Sequence, residues 1–283
     1  MSIKKILVPL TGHGPSRESL QAGLDLAGRF DAIVEALHVR HDPATAMAYA
    51  GAGAAGMGAG AGLATIIEAA EAEAEHRAGR ARATFDEIAG ARAAAKMLIE
   101  TGPETDVIAG RARLADLVVF PRPSSETSPS VERNLEGVLF ESGRPVFLVP
   151  PKPKAGIALA GGETIVVGWN DSPEAAHAVT AALPFLKTAA RIVVVSIGEE
   201  APVEVCNWLG CHGVSAQPLA AQPESGGIFD DPTGELLLRI CAEQDASMLV
   251  MGAFTHMRIR QLVIAGATRT VMSDATIPVL MSH

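Results

Sequence analysis

The chain has 283 residues, enough for two domains of ordinary size rather than one. Hydrophobic residues make up 48% and charged residues 19%, which excludes a generally disordered chain and suits helices packed on a parallel sheet. With 23 basic against 32 acidic residues, the net charge of −9 argues against nucleic acid or anionic lipid as partner and leaves room only for a local basic cluster holding one small anion.

The first apolar run, Lys5-Ile6-Leu7-Val8-Pro9-Leu10, reads as a strand. It is too short for a signal-peptide core, and no uncharged apolar run reaches the length of a bilayer span, so a cytoplasmic location is expected. Pro15-Ser16-Arg17-Glu18 then opens a helix, and Ala32 to Val39 forms the second strand. Residues 50–62 are six Ala, six Gly and Met57, too rich in glycine to hold a helix; they are expected to be a mobile loop, with a binding lid as the sharper alternative. From Ala64 to about Ala94 the Ala, Glu and Arg content predicts a long helix. Ala115 to Phe120 and the proline-led run Pro145 to Val149 are further strands. Pro150-Pro151-Lys152-Pro153-Lys154 and the Gly- and Ala-rich residues up to Gly162 have linker composition, which places the boundary near residue 155 and the domains at 1–154 and 155–283.

The second half repeats the first. Thr164-Ile165-Val166-Val167-Gly168-Trp169 echoes the opening strand, and Asp171-Ser172-Pro173-Glu174 starts a helix with Ser172 as cap and Pro173 at the first helical position. Ala176, Val179, Leu183 and Leu186 follow at helical spacing. Arg191 to Ile197, Ala246 to Met251 and Pro278 to Met281 match the later strands of the first half. Continuous apolar strands alternating with helices call for parallel sheets covered on both faces and joined by right-handed crossovers. The expected fold is therefore α/β: two tandem, open, doubly wound domains.

Cys206, Cys211 and Cys241 are an odd number, against a disulfide framework. Cys206, Cys211 and His212 match no common zinc spacing and lack an evident fourth ligand, so no metal site is expected there. His38 and His177 are expected to be structural or solvated, since neither has a nucleophile and base at a familiar spacing.

The strand and helix order, the closing Gly-Arg-Pro-Val of the first half and Ile-Pro-Val-Leu of the second resemble universal stress proteins, and the similarity runs twice over nearly the whole chain. The resemblance implies a five-stranded sheet of the adenine nucleotide alpha-hydrolase type in each half. Leu249 to Arg258, continuing through Gln261 to Arg269, is similar to the family's ATP loop after strand four. In ATP-binding members that loop is a glycine, two residues, a glycine, nine residues, a glycine and then Ser or Thr. Here Met251 precedes Gly252 at the first position, Thr255 stands at the second, Ala265 at the third, and Gly266 where the hydroxyl belongs. Glycines let backbone amides approach phosphate, and a helix start favours the anion. Ala265, Gly266 and Ala267 remain small, Thr268 can donate a hydroxyl, and His256, Arg258 and Arg260 add donors nearby. By the same resemblance Asn170 takes the place of the family's aspartate near the adenine, where the first half has Thr11, and backbone around Ile197, or Val39 in the first half, forms the other adenine wall. In the first half Pro121-Arg122-Pro123-Ser124-Ser125 replaces the loop, proline removes amide donors, and Glu136 would repel phosphate.

The resemblance implies a non-catalytic stress-response protein that binds ATP or a related adenine nucleotide, with magnesium as a possible companion, in the second domain. A ligand-free assembly module with a relic loop is the alternative. Slow phosphoanhydride hydrolysis or nucleotidyl transfer is the third reading, although there is no Walker-type Gly-Lys-Ser/Thr and Asp171 is the one nearby carboxylate for magnesium. The runs Pro145 to Val149 and Pro278 to Met281 are apolar strands expected at sheet edges, which must be covered. The resemblance implies that they pair, with each other inside one chain or with another chain in a homodimer.

Overall fold

The computed structural model describes residues 2–12, 16–40, 60–90, 92, 94–124, 127, 129–151, 161–222, 233–254 and 266–283. The first half contributes β1 (Lys5–Pro9), α1 (Ser16–Phe30), β2 (Ile33–Arg40), α2 (Gly60–Ala89), β3 (Ala95–Thr101), α3 (Glu104–Ala112), β4 (Leu117–Pro121), α4 (Pro129–Glu141) and β5 (Val146–Val149). The second contributes β6 (Thr164–Trp169), α5 (Pro173–Leu186), β7 (Arg191–Ile197), α6 (Val203–Cys211), β8 (Gln217–Ala221), α7 (Thr233–Glu243), β9 (Met248–Gly252), α8 (Gly266–Asp274) and β10 (Val279–Ser282). The expected boundary near residue 155 lies outside the described residues.

The strands form one ten-stranded sheet in the order β3-β2-β1-β4-β5-β10-β9-β6-β7-β8. Each half therefore has the same doubly wound order, and every pairing within a half is parallel. The halves join through an antiparallel pair, Val279 opposite Leu148, Leu280 opposite Phe147 and Met281 opposite Val146. The two proline-led strands thus cover each other within one chain.

Alternating side chains feed two helical layers. Ile6, Val8, Val167, Val194 and Leu280 face α1, α2, α5 and α6, whereas Leu7, Val166, Val193, Met251 and Met281 face α3, α4, α7 and α8. Both cores run through the junction. Phe185 of α5 meets Phe30 of α1 edge-on at 4.9 Å and stacks on Phe147 of β5 at 6.0 Å.

Helix α2 begins at Gly60, earlier than the expected Ala64, so the last residues of the Gly/Ala run are helical. Extending a formed helix adds a hydrogen bond per residue, which offsets glycine's cost of about 1 kcal/mol relative to Ala. The rest of that run lies outside the described residues. Among the described residues no helix is long and apolar enough to cross a membrane.

Candidate functional site

Strand order reverses beside β6, with β9 on one side and β7 on the other, and open α/β sheets take ligands at the strand C-termini next to such a reversal. A cavity of about 890 Å³ opens there. It is lined by Trp169, Asn170 and Asp171 after β6, by Ser196 to Pro202 after β7, and by facing residues of α5 and α6.

The turn from β6 into α5 is tightly specified. Asp171 adopts a left-handed φ of 55°, a conformation that Asp and Asn tolerate better than most residues. Ser172 Oγ accepts from Ala175 N at 3.1 Å, capping α5, and donates to Asn170 Oδ1 at 2.7 Å. Proline at the first helical position completes the start. Asn170 is thereby oriented by the cap of the neighbouring helix, with its side chain at the cavity.

The candidate residues separate into groups. Asn170 and Ile197 are brought together in the cavity wall. Met251 is buried in the other layer, against the core under α7 and α8. Gly252 ends β9 at a close contact: a Cβ built there would lie 2.6 Å from Ala175 N and 2.8 Å from Glu174 C. What approaches Gly252 in this structure is the start of α5. Gly266, Ala267 and Thr268 form the first turn of α8. Thr268 is buried, and its Oγ1 accepts from Phe254 N at 3.1 Å, holding Phe254 at a left-handed φ of 58°. Ala253 N donates to Ser282 O at 2.8 Å, so the two amides after Gly252 are already engaged. Thr255, His256, Arg258 and Ala265 lie outside the described residues.

Sequence reasoning named Asp171 as the one nearby carboxylate for magnesium, but did not single out Trp169, Trp208, Glu199, Glu200 or Glu204, which reach the same cavity. Asp171, Glu199, Glu200 and Glu204 line it, and no Lys, Arg or His is among its lining residues. The one early signal was compositional: the chain has only 2 Trp.

In the first half the corresponding end of β1 is covered by α2. A Cβ on Gly12, whose φ is 72°, would meet Arg77 O at 2.6 Å, and Arg80 Nε donates to Gly12 O at 2.8 Å. His38 is fully buried with Nδ1 2.7 Å from Leu10 O; a carbonyl only accepts, so Nδ1 carries the proton. The segment after β4 serves the junction: Arg122 Nη1 donates to Met272 O at 3.2 Å, near the C-terminal end of α8. Burial pushes the Glu136 carboxyl up from its ordinary range, reinforced by Glu132 and opposed by Arg269 of α8. Cys206 is half-buried, Cys211 exposed and Cys241 buried, all with free thiols; burial pushes Cys241 up to about 12. His177 is exposed, 3.3 Å from His283 O. Among the described residues no group of three His, Cys, Asp or Glu is placed to hold a metal ion.

A doubly wound sheet repeated in tandem, with a cavity at the strand C-termini of one half, defines a two-part α/β protein rather than a fibrous scaffold. Residues 2–142 match the model of the universal stress protein family, and the chain belongs to that family. The matched span is the first half; the candidate site lies in the second. A universal stress protein from Archaeoglobus fulgidus has a similar structure, with a TM-score of 0.67 at 15% identity over 99% of this chain and 96% of that one. One from Pseudomonas aeruginosa gives a TM-score of 0.50 at 14% identity over 99% of this chain and 93% of that one. At those identities the likeness is one of fold. No curated protein matches the sequence.

Proposed function

We propose that the chain is a non-catalytic stress-response protein of two domains, 1–154 and 155–283, of which the second holds ATP or a related adenine nucleotide. The observation that carries this reading is the cavity of about 890 Å³ at the C-terminal ends of β6 and β7, with Asn170 and Ile197 in its wall. Asn170 offers both a donor and an acceptor to a base edge. The start of α8, at Gly266 and Ala267, offers first-turn helix amides and small side chains to a phosphate. Because the cavity lining is acidic, the phosphates belong on the α8 side and the base at Asn170.

The test is the melting temperature of the full chain with and without millimolar Mg-ATP. A ligand present at about 100 times its Kd stabilises the folded state by about 2.7 kcal/mol. Wild type is expected to shift upward, and Gly266→Glu, which sets a carboxylate at the helix start, to lose the shift while keeping its own fold. No shift in the wild type, together with no heat of binding, would overturn the reading.

An assembly role is favoured by a separate observation: residues that replace the loop in the first half, and helix α4, bind the second half. Arg122 reaches the carbonyl of Met272, and Phe140 packs against Phe254 at 5.1 Å and His283 at 4.6 Å. On this reading the first domain serves to hold the second.

A further inference from the structure

We propose that the cavity between β6, β7, α5 and α6 binds an organic cation, an alkylamine or quaternary ammonium compound with an apolar body. The inference shares its cavity with the nucleotide reading but rests on different features of it, the two indoles and the acidic rim rather than Asn170, Ile197 and the start of α8.

The volume of about 890 Å³ falls within the roughly 300–1,000 Å³ of small-molecule sites. Its inner surface is apolar: Val179 and Val205 are buried there, and Trp169 is partly buried. At the opening α6 displays Val203 at 49% and Trp208 at 39% exposure, which carries the apolar surface out to the rim of the cavity. Trp208 is braced by the His212 ring at a centroid distance of 4.3 Å.

Around this apolar interior stand Asp171, Glu199, Glu200 and Glu204, all exposed. No described Lys or Arg forms an ion pair with them. A single exposed carboxylate attracts weakly, but like charges around a cleft with low-dielectric walls focus their field into it. Indole faces are the best aromatic partners for a cation, and they accept the alkyl groups of an ammonium ligand as well. Apolar floor, indole faces and an acidic rim complement a cation with a hydrocarbon body. The same rim repels a free polyphosphate.

The composition supplies a clean readout, since both tryptophans of the chain line this cavity and no others exist. The full chain would be titrated with spermidine, putrescine and tetramethylammonium at constant ionic strength, following tryptophan emission. A saturable change is expected with at least one of the three. The triple variant Glu199→Gln, Glu200→Gln and Glu204→Gln, at exposed positions that should leave the fold intact by circular dichroism, is expected to weaken it at least tenfold. Trp208→Phe should retain binding better than Trp208→Ala. Sodium chloride producing the same change, or no saturable change with any of the three probes, overturns the proposal. Mg-ATP in a parallel titration separates the two readings. If ATP saturates the signal and the amines do not, the cavity belongs to the nucleotide alone. If the amines bind and ATP neither binds nor shifts melting, the nucleotide reading falls and this one stands.

Discussion

Arg29 Nη1 donates to Glu163 Oε1 at 3.1 Å across the junction of the two halves, with 11% and 7% of the two side chains exposed. The guanidinium also lies over the Phe30 and Phe185 rings, at 5.2 and 5.3 Å, and Glu163 Oε1 accepts a second bond from Gly161 N at 2.7 Å. A link between α1 and the residue before β6 is therefore a shielded ion pair set among aromatic rings. Burial pulls the Arg29 pKa down from its ordinary value and Glu163 opposes that pull. Removing one partner leaves the other buried charge without its counter-charge, at a cost of about 3–5 kcal/mol. Glu163→Ala is expected to lose about that much stability in urea titrations, whereas the double variant Arg29→Met with Glu163→Leu should recover most of it. Equal losses in the single and double variants would refute the coupling.

Gly252→Ala tests what the glycine after β9 is for. The added methyl meets Ala175 N at 2.6 Å and Glu174 C at 2.8 Å, and both are backbone atoms that cannot rotate away. Overpacking of this kind costs about 1–3 kcal/mol. A lower melting temperature in the absence of any ligand is the expected result; an unchanged one would return the glycine to a role in ligand approach.

Thr268→Val keeps the shape of the side chain and removes the acceptor for Phe254 N, which is 3.1 Å from the hydroxyl. A buried N–H left without a partner costs about 1–3 kcal/mol. Thr268→Ser should restore most of the loss, because the oxygen returns and only a methyl is missing. Amide hydrogen exchange at Phe254 is expected to speed up in the valine variant and not in the serine one.

Acid should weaken the first half through Glu35. Burial pushes this carboxyl up, but hydrogen bonds and charge from Lys96 and Lys5, at 2.8 and 2.9 Å, outweigh it and hold the pKa below the ordinary 4.5. With the folded pKa below the unfolded one, the unfolded chain binds more protons in the window between them. The stabilisation is then complete above about pH 4.5 and is lost as the pH falls through the folded value. Glu35→Gln is expected to be less stable at neutral pH and to show a shallower decline below about pH 4.5, measured by urea midpoints across that range.

The central strands were plain in the sequence because both their faces are buried, which leaves unbroken apolar runs such as Ile6 to Val8 and Val166-Val167. β3 and β8 were not located, for the opposite reason. They are the outer strands, with no fully buried residue to make an unbroken apolar run, and β8 carries Pro218, which reads as a break. Asn170 and Ile197 could be placed at strand ends from the repeat alone. Trp208 and Glu204 could not, since they reach the cavity only through the way α6 returns over β7. Gly252 shows a subtler limit: a glycine required by close approach looks the same in sequence whether a phosphate or a helix makes the approach.

The antiparallel pairing of β5 with β10 has a consequence for stoichiometry. Two separate chains meeting through such strands would be identical, and their pairing would fade on dilution. Here the partners share one backbone, so each sits at a high effective concentration for the other, whatever the amount of protein. The ratio is also fixed: every molecule carries one half whose cleft opens at Trp169 and one whose equivalent position is covered by Arg77 and Arg80. A tethered pair is free to specialise, because a change that suits one half need not suit a copy of itself.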